Sequence, residues 1–239
     1  MRKNILILFV LGIFASCNLI LGEHIQGNGN YTTETRNISS AQKIKLAGDF
    51  DVDITQSDNT SLSVDADANL LPYIEIFNED GWLVVRAKEH ANLDSKKGIK
   101  IHITTPVLQA CKIAGSGNIA GKGKFTGGDH LELAIAGSGD INLDVNTPSV
   151  KGDIAGSGNV ILNGETRSEV VKIAGNGDWK TENLKAENVE IHIAGSGNVH
   201  VFADNKLSVH VAGSGDVYYK GNPTIDQHIA GSGNIKKIN

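Results

Sequence analysis

Between residues 114 and 234 the chain repeats Ala-Gly-(Ser/Asn)-Gly-(Asn/Asp) seven times, beginning at Ala114, Ala136, Ala155, Ala174, Ala194, Ala212 and Ala230. The intervals are 22, 19, 19, 20, 18 and 18 residues. A near-constant period of this size marks a stacked solenoid. It is too short for a helix pair or a propeller blade, and suits one coil of two or three short strands. Two columns support this. Ile113, Ile135, Ile154, Ile173, Ile193, Val211 and Ile229 precede each Ala; Ile119, Ile141, Val160, Trp179, Val199, Val217 and Ile235 follow each motif. Both are apolar, as an inward-facing stack requires. The Gly-x-Gly between them turns the chain, because glycine enters positive φ without steric cost. Fourteen of the 28 glycines lie in these turns. At about 4.8 Å per paired strand, seven coils make a rod roughly 30 Å long.

Upstream, Lys43 to Ile54 alternates apolar and polar residues. Residues 73–77 and 82–85 flank Asn78-Glu79-Asp80-Gly81, a strand–turn–strand signal. Helical periodicity is absent. The expectation is an all-β chain with a smaller strand region over 41–110 and a solenoid over 111–239 of about 18–22 residues per coil. Residues 41–239 are readable as one continuous domain. Residues 17–40, with Gly27-Asn28-Gly29-Asn30, read as a polar tether.

Residues 1–16 read as an export signal: basic Arg2 and Lys3, then an apolar run from Ile5 to Phe14, too short to span a bilayer. Phe14-Ala15-Ser16-Cys17 resembles a bacterial lipobox, with Cys17 as the acylated N-terminus of the mature protein. The alternative is a plain secretory signal with an incidental cysteine. Acylation of Cys17 would leave Cys111 alone, so no internal disulfide is expected; Cys111 reads as a small buried hydrophobe. Acyl chains would supply a membrane partner without a transmembrane helix.

Three features are candidates for chemistry. The polar end of the motif alternates completely: Asn118, Asp140, Asn159, Asp178, Asn198, Asp216, Asn234. In a stack this is a side-chain ladder, with asparagine separating like charges and donating to carboxylates. Calcium binding is the sharper alternative, but one aspartate in every second coil supplies few ligands. Three residues before the first motif glycine stand His192, His210 and His228 on successive coils, weak metal candidates because the outer pair would lie about 9.6 Å apart. The longest interval places Lys122, Lys124 and Phe125 in a basic, glycine-rich loop, read as an exposed contact point or a tolerated insertion.

Composition limits the rest. A net charge of −5 disfavours phosphate backbones, so no nucleic-acid partner is expected. Forty per cent hydrophobic residues exclude wholesale disorder, and only 4 prolines exclude collagen. Nucleophile-elbow, zinc-protease and paired-cysteine motifs are absent, so no catalytic residue and no cofactor is expected.

Cys17-Asn18, Gly27-Asn28-Gly29-Asn30, the run from Leu46 to Gln56, Leu70-Leu71-Pro72-Tyr73-Ile74 and the Ala-Gly-Ser-Gly series together resemble the head-GIN domain family of auto-transporter adhesin type. The resemblance covers nearly everything after Cys17. It implies a right-handed parallel β-helix in a Gram-negative envelope lipoprotein anchored to the outer membrane, and supplies no catalytic residues. Asn18-Leu19-Ile20-Leu21-Gly22 carries no acidic residue after the cysteine, which leaves periplasmic and surface orientation open. The expected role is a non-enzymatic adhesion or binding module for protein or polysaccharide. A carbohydrate-active β-helix enzyme and an envelope protein that self-associates end to end are the alternatives.

Overall fold

The computed structural model describes residues 22–239. The signal segment and Cys17 lie outside the described residues. The fold is all-β, its only helical turn being Leu71–Tyr73 among the described residues.

The repeats stack in parallel and in register. Ala114 pairs with Ala136, Ala136 with Ala155, Ala155 with Ala174, and so on through Ala194 and Ala212 to Ala230. The inward columns are buried from Ile113 to Val211 and from Ile119 to Val217, none above 2 % exposed; only Ile229 and Ile235, in the last coil, are partly covered. Trp179 fits in the second column because Gly152 stands where its ring passes: a Cβ there would lie 2.0 Å from Trp179 Cη2.

Both motif glycines are dictated by the coil beneath. At Gly175, φ is +137°, and a Cβ would fall 2.3 Å from the carbonyl oxygen of Gly156. At Gly177 it would meet Gly158 O at 2.2 Å. The corner is therefore a glycine column because stacked backbones leave no room for a side chain there.

The stack has one coil more than the sequence pattern reveals. Lys43–Gly48 pairs with Ala110–Gly115, placing Ala47 on Ala114 and Gly48 on Gly115. Asp51–Gln56 pairs with Asn118–Phe125 in the same way. Residues between these strands form a cap: Ser61–Asp67 runs antiparallel to Lys100–Thr105, and Ile74–Glu79 antiparallel to Trp82–Ala87. Asp80 and Gly81, both at positive φ, turn that hairpin.

Part of the stretch expected as a tether is structured. Glu23–Gln26 pairs with Ala91–Asp94, and Tyr31–Thr35 with Ser61–Asp67. Gly27 to Asn30 is a turn closed on buried Asp67: Gly29 N donates to Asp67 Oδ1 at 2.7 Å, and Asn28 N to Asn69 Oδ1 at 2.9 Å. Polarity that reads as a linker is polarity used to satisfy a buried carboxylate.

Candidate functional site

An open groove of about 860 Å³ runs along the outer face of the stacked strands. Its geometry follows from strand alternation. Ile113 and its counterparts point inward, so the residues on either side point out. One outward column is alanine in every coil from Ala114 to Ala230, all exposed. The other carries longer side chains, Lys45, Lys112, Asp153, Lys172, His192, His210 and His228, broken once by Ala134, and all of these line the groove. Short methyls beside long polar arms make a valley with an apolar floor.

The three histidines come together as a stack. The rings of His192 and His210 lie 5.0 Å apart at 7°, and those of His210 and His228 6.3 Å apart at 47°. His192 Nε2 is bonded to Glu190 at 2.7 Å, which holds that carboxyl below its usual range. Among the described residues no group of three or more His, Cys, Asp or Glu is placed to hold a metal ion.

The Asn/Asp column forms hydrogen bonds from coil to coil. Each asparagine amide donates to the aspartate below it: Asn159 to Asp140 at 2.8 Å, Asn198 to Asp178 at 3.3 Å, Asn234 to Asp216 at 3.2 Å. Asn118 donates to Asp51 at 2.9 Å, so Asp51, in the concealed first coil, is the foot of the ladder. Each aspartate main-chain N–H in turn donates to the asparagine below, as Asp140 N does to Asn118 Oδ1 at 3.2 Å.

The predicted contact loop divides. Lys122 and Lys124 are exposed, but Phe125 is 4 % exposed and belongs to the core. The insertion is a bulge: the register against Ile141–Asn146 shifts between Ala120 and Lys124, which returns Phe125 to inward parity opposite Val145. Lys122 reaches Asp53 Oδ1 at 3.2 Å. There it borders a smaller polar cavity of about 280 Å³, lined also by His102 and by the hydroxyls of Thr35, Thr55, Ser61, Ser63 and Thr104. His102 Nε2 bonds Asp65 at 2.9 Å, and the hydrogen bond from Thr33, then that of His102, lowers the Asp65 pKa. These residues come from strands distant in sequence, so no local motif announces the cavity.

The two strongly perturbed groups are sealed from solvent. Burial pushes the Cys111 thiol up to about 12 and the Glu169 carboxyl up to about 7. Each is at most 1 % exposed, out of reach of a substrate.

The family described as putative auto-transporter adhesin, head GIN domain, matches residues 41–223. The chain belongs to that family. No curated protein matches it. Among solved structures, it is similar to a "putative lipid binding protein" from Parabacteroides distasonis, with 30% identity, 91% of this chain and 100% of that one covered, and a TM-score of 0.75. A "putative adhesin" from Bacteroides fragilis superposes with a TM-score of 0.85 at 26% identity, over 90% of this chain and 100% of its own. A second "putative adhesin", from P. distasonis, has 25% identity, the same coverages and a TM-score of 0.73. Family and neighbours carry the names of adhesins and a lipid binding protein, not of enzymes. The adhesin-like family points to an envelope or surface protein. Among the described residues no helix is long and apolar enough to cross a membrane.

Proposed function

We propose that this protein is a lipid-anchored, non-enzymatic binding module of the cell envelope, which holds an elongated ligand along the outer groove of its solenoid. One observation carries this reading: an open valley continuous over the whole repeat stack, from Lys45 to Ala230. Uniform solenoid faces suit extended ligands. Holding rather than turnover is supported by the sealed positions of Cys111 and Glu169 and by the names of the neighbours. The anchor is the diacylated Cys17, at the outer membrane of a Gram-negative cell. Fractionation tests the anchor: Cys17→Ser is expected to move the protein from the membrane to the soluble fraction, and unchanged membrane retention would refute it. Adhesion to an immobilised envelope or host extract tests the groove. Outward Ala155→Gln with Ala174→Gln should abolish retention, whereas release of reducing ends from polysaccharide would favour an enzyme instead.

A further inference from the structure

We infer that the groove binds an acyl chain bearing an anionic headgroup, with the head at the Lys45–Lys112 end and the tail along the alanine stripe. This rests on the groove being the ligand face. The floor decides the chemistry. From Ala114 to Ala230 it offers a methyl at each of seven successive coils. At about 4.8 Å per coil that is roughly 29 Å of apolar surface. A polysaccharide needs donors, acceptors or aromatic platforms on both sides of its path; here the polar arms and histidine rings stand on one wall only, and the methyl floor offers none. An extended polypeptide needs free backbone groups, but those of the floor are already paired between coils, from Ala110–Gly115 through to Thr224–Gly231. An acyl chain asks for neither. In a bilayer one such chain spans half of a hydrocarbon core about 30 Å thick, so about 15 Å, and the stripe accommodates it with its headgroup.

Charge places the head. The groove presents Lys45, Lys112 and Lys172 against a single carboxylate, Asp153, in a chain whose net charge is −5. Lys45 and Lys112 are register partners on adjacent coils. Like charges directly opposite one another repel, and an anion between them removes that repulsion. Lys112 Nζ is held 4.5 Å above the Trp82 ring, which positions one of the two cations. Beyond them the long-arm column is interrupted by Ala134, so the way from the cationic end onto the methyl stripe is open.

The test uses the whole chain with Cys17→Ser, so that it carries no acyl group of its own, titrated with the fluorescent fatty acid cis-parinaric acid and with its uncharged methyl ester. Saturable, one-to-one fluorescence enhancement is expected for the acid. Ala155→Gln with Ala174→Gln, at exposed positions and checked for folding by circular dichroism, should weaken both probes about tenfold or more. Lys45→Gln with Lys112→Gln should weaken the acid about tenfold and leave the ester unchanged, as loss of a charge-assisted contact predicts. Absence of saturable binding, or binding untouched by filling the stripe, overturns the inference. If the acid does not bind while the filled variant still loses retention on the immobilised extract, the acyl assignment falls and the groove reading stands. If the filled variant loses neither, both fall.

Discussion

The side-chain amide of Asn159 donates to Oδ1 of Asp140, one coil below, at 2.8 Å, and the main-chain N–H of Asn159 donates to the same oxygen at 2.9 Å. One carboxylate oxygen thus takes two donors from the next coil. The reverse step, aspartate above asparagine, uses only the aspartate N–H, because an ionised carboxylate has nothing to donate. Alternation therefore fastens the coils in pairs and keeps carboxylates two coils apart.

Asn159→Asp is expected to destabilise the protein by about 1–2 kcal/mol at neutral pH, through one lost amide donor and three carboxylates in successive coils. Crowding raises the folded-state pKa of the new carboxyl, so the deficit should grow as pH rises through the carboxylate range and shrink in high salt. Asp140→Asn keeps the acceptor oxygen, adds a donor toward Asn118, and should be nearly neutral. Urea unfolding of both variants at pH 4 and 7 checks this; equal stability of the two at pH 7 would sink the ladder argument.

Two positive-φ glycines, Gly123 in the bulge and Gly175 at a corner, offer a contrast between crowding and conformation. Gly123 has φ +89° with nothing within 4 Å of a built Cβ, whereas Gly175 combines φ +137° with a backbone oxygen 2.3 Å away. Gly123→Ala should cost about 1 kcal/mol, the strain of positive φ alone. Gly175→Ala adds a clash that stacked main chains cannot relax and should cost about 3 kcal/mol or more. Thermal unfolding separates them, and similar losses at both positions would mean that the coils give way more easily than the stack implies.

The same crowding explains what the sequence reveals and what it conceals. Wherever a coil sits on another corner, both glycines are compulsory, so seven copies read plainly. The first coil has no such corner beneath it, and Phe50 stands where the second glycine would be, its Cε2 3.0 Å from a Cβ built on Gly48. With that glycine gone and a long cap inserted before Ala114, neither the eighth copy nor Asp51 is visible as a repeat. The alanine column was within the motif from the start, but a small exposed residue carries no signal until the neighbouring column is seen to be long. Phe125 misleads for a related reason: glycines around an aromatic suggest a loop tip, whereas a bulge restores its inward parity. The polar cavity at His102 depends on pairing between distant strands, which no local pattern encodes.

Cys111 is fully buried in the first inward layer, register-paired with Ile44 and Leu133, and burial pushes its thiol up to about 12. In the folded Cys17→Ser protein, where it is the one remaining cysteine, it should resist maleimides and disulfide exchange at pH 8, since the thiolate is the reactive form. Labelling should appear only on unfolding, with the same denaturant midpoint as loss of the β-sheet circular dichroism signal. Rapid labelling of the native state would contradict the closed core.

Glu169 replaces an apolar residue in a core column, with Val150 below it and Val189 above. It is 1 % exposed, accepts a hydrogen bond from Trp179 Nε1 at 2.7 Å, and leaves Oε2 without a partner. Burial raises its pKa from 4.5 to about 7, against the hydrogen bond from Trp179. Between those two values the folded chain holds a proton that the unfolded chain has released. Its contribution to stability is therefore fully present below about 4.5, falls as pH rises, and is lost above about 7. The rise corresponds to about 3 kcal/mol. Asp65 and Glu190, whose pKa values are lowered, act in the opposite sense as pH falls into the carboxylate range. Glu169→Gln keeps an acceptor for Trp179 and removes the titration, so it should flatten the loss of stability between pH 5 and 8 and leave the variant the more stable protein at pH 8. Trp179→Phe removes the buried donor, raises the folded-state pKa further, and should extend the fall to higher pH. Urea midpoints at half-unit intervals from pH 4.5 to 8.5 decide it: an unchanged slope in Glu169→Gln would show that this carboxyl is not the group being titrated.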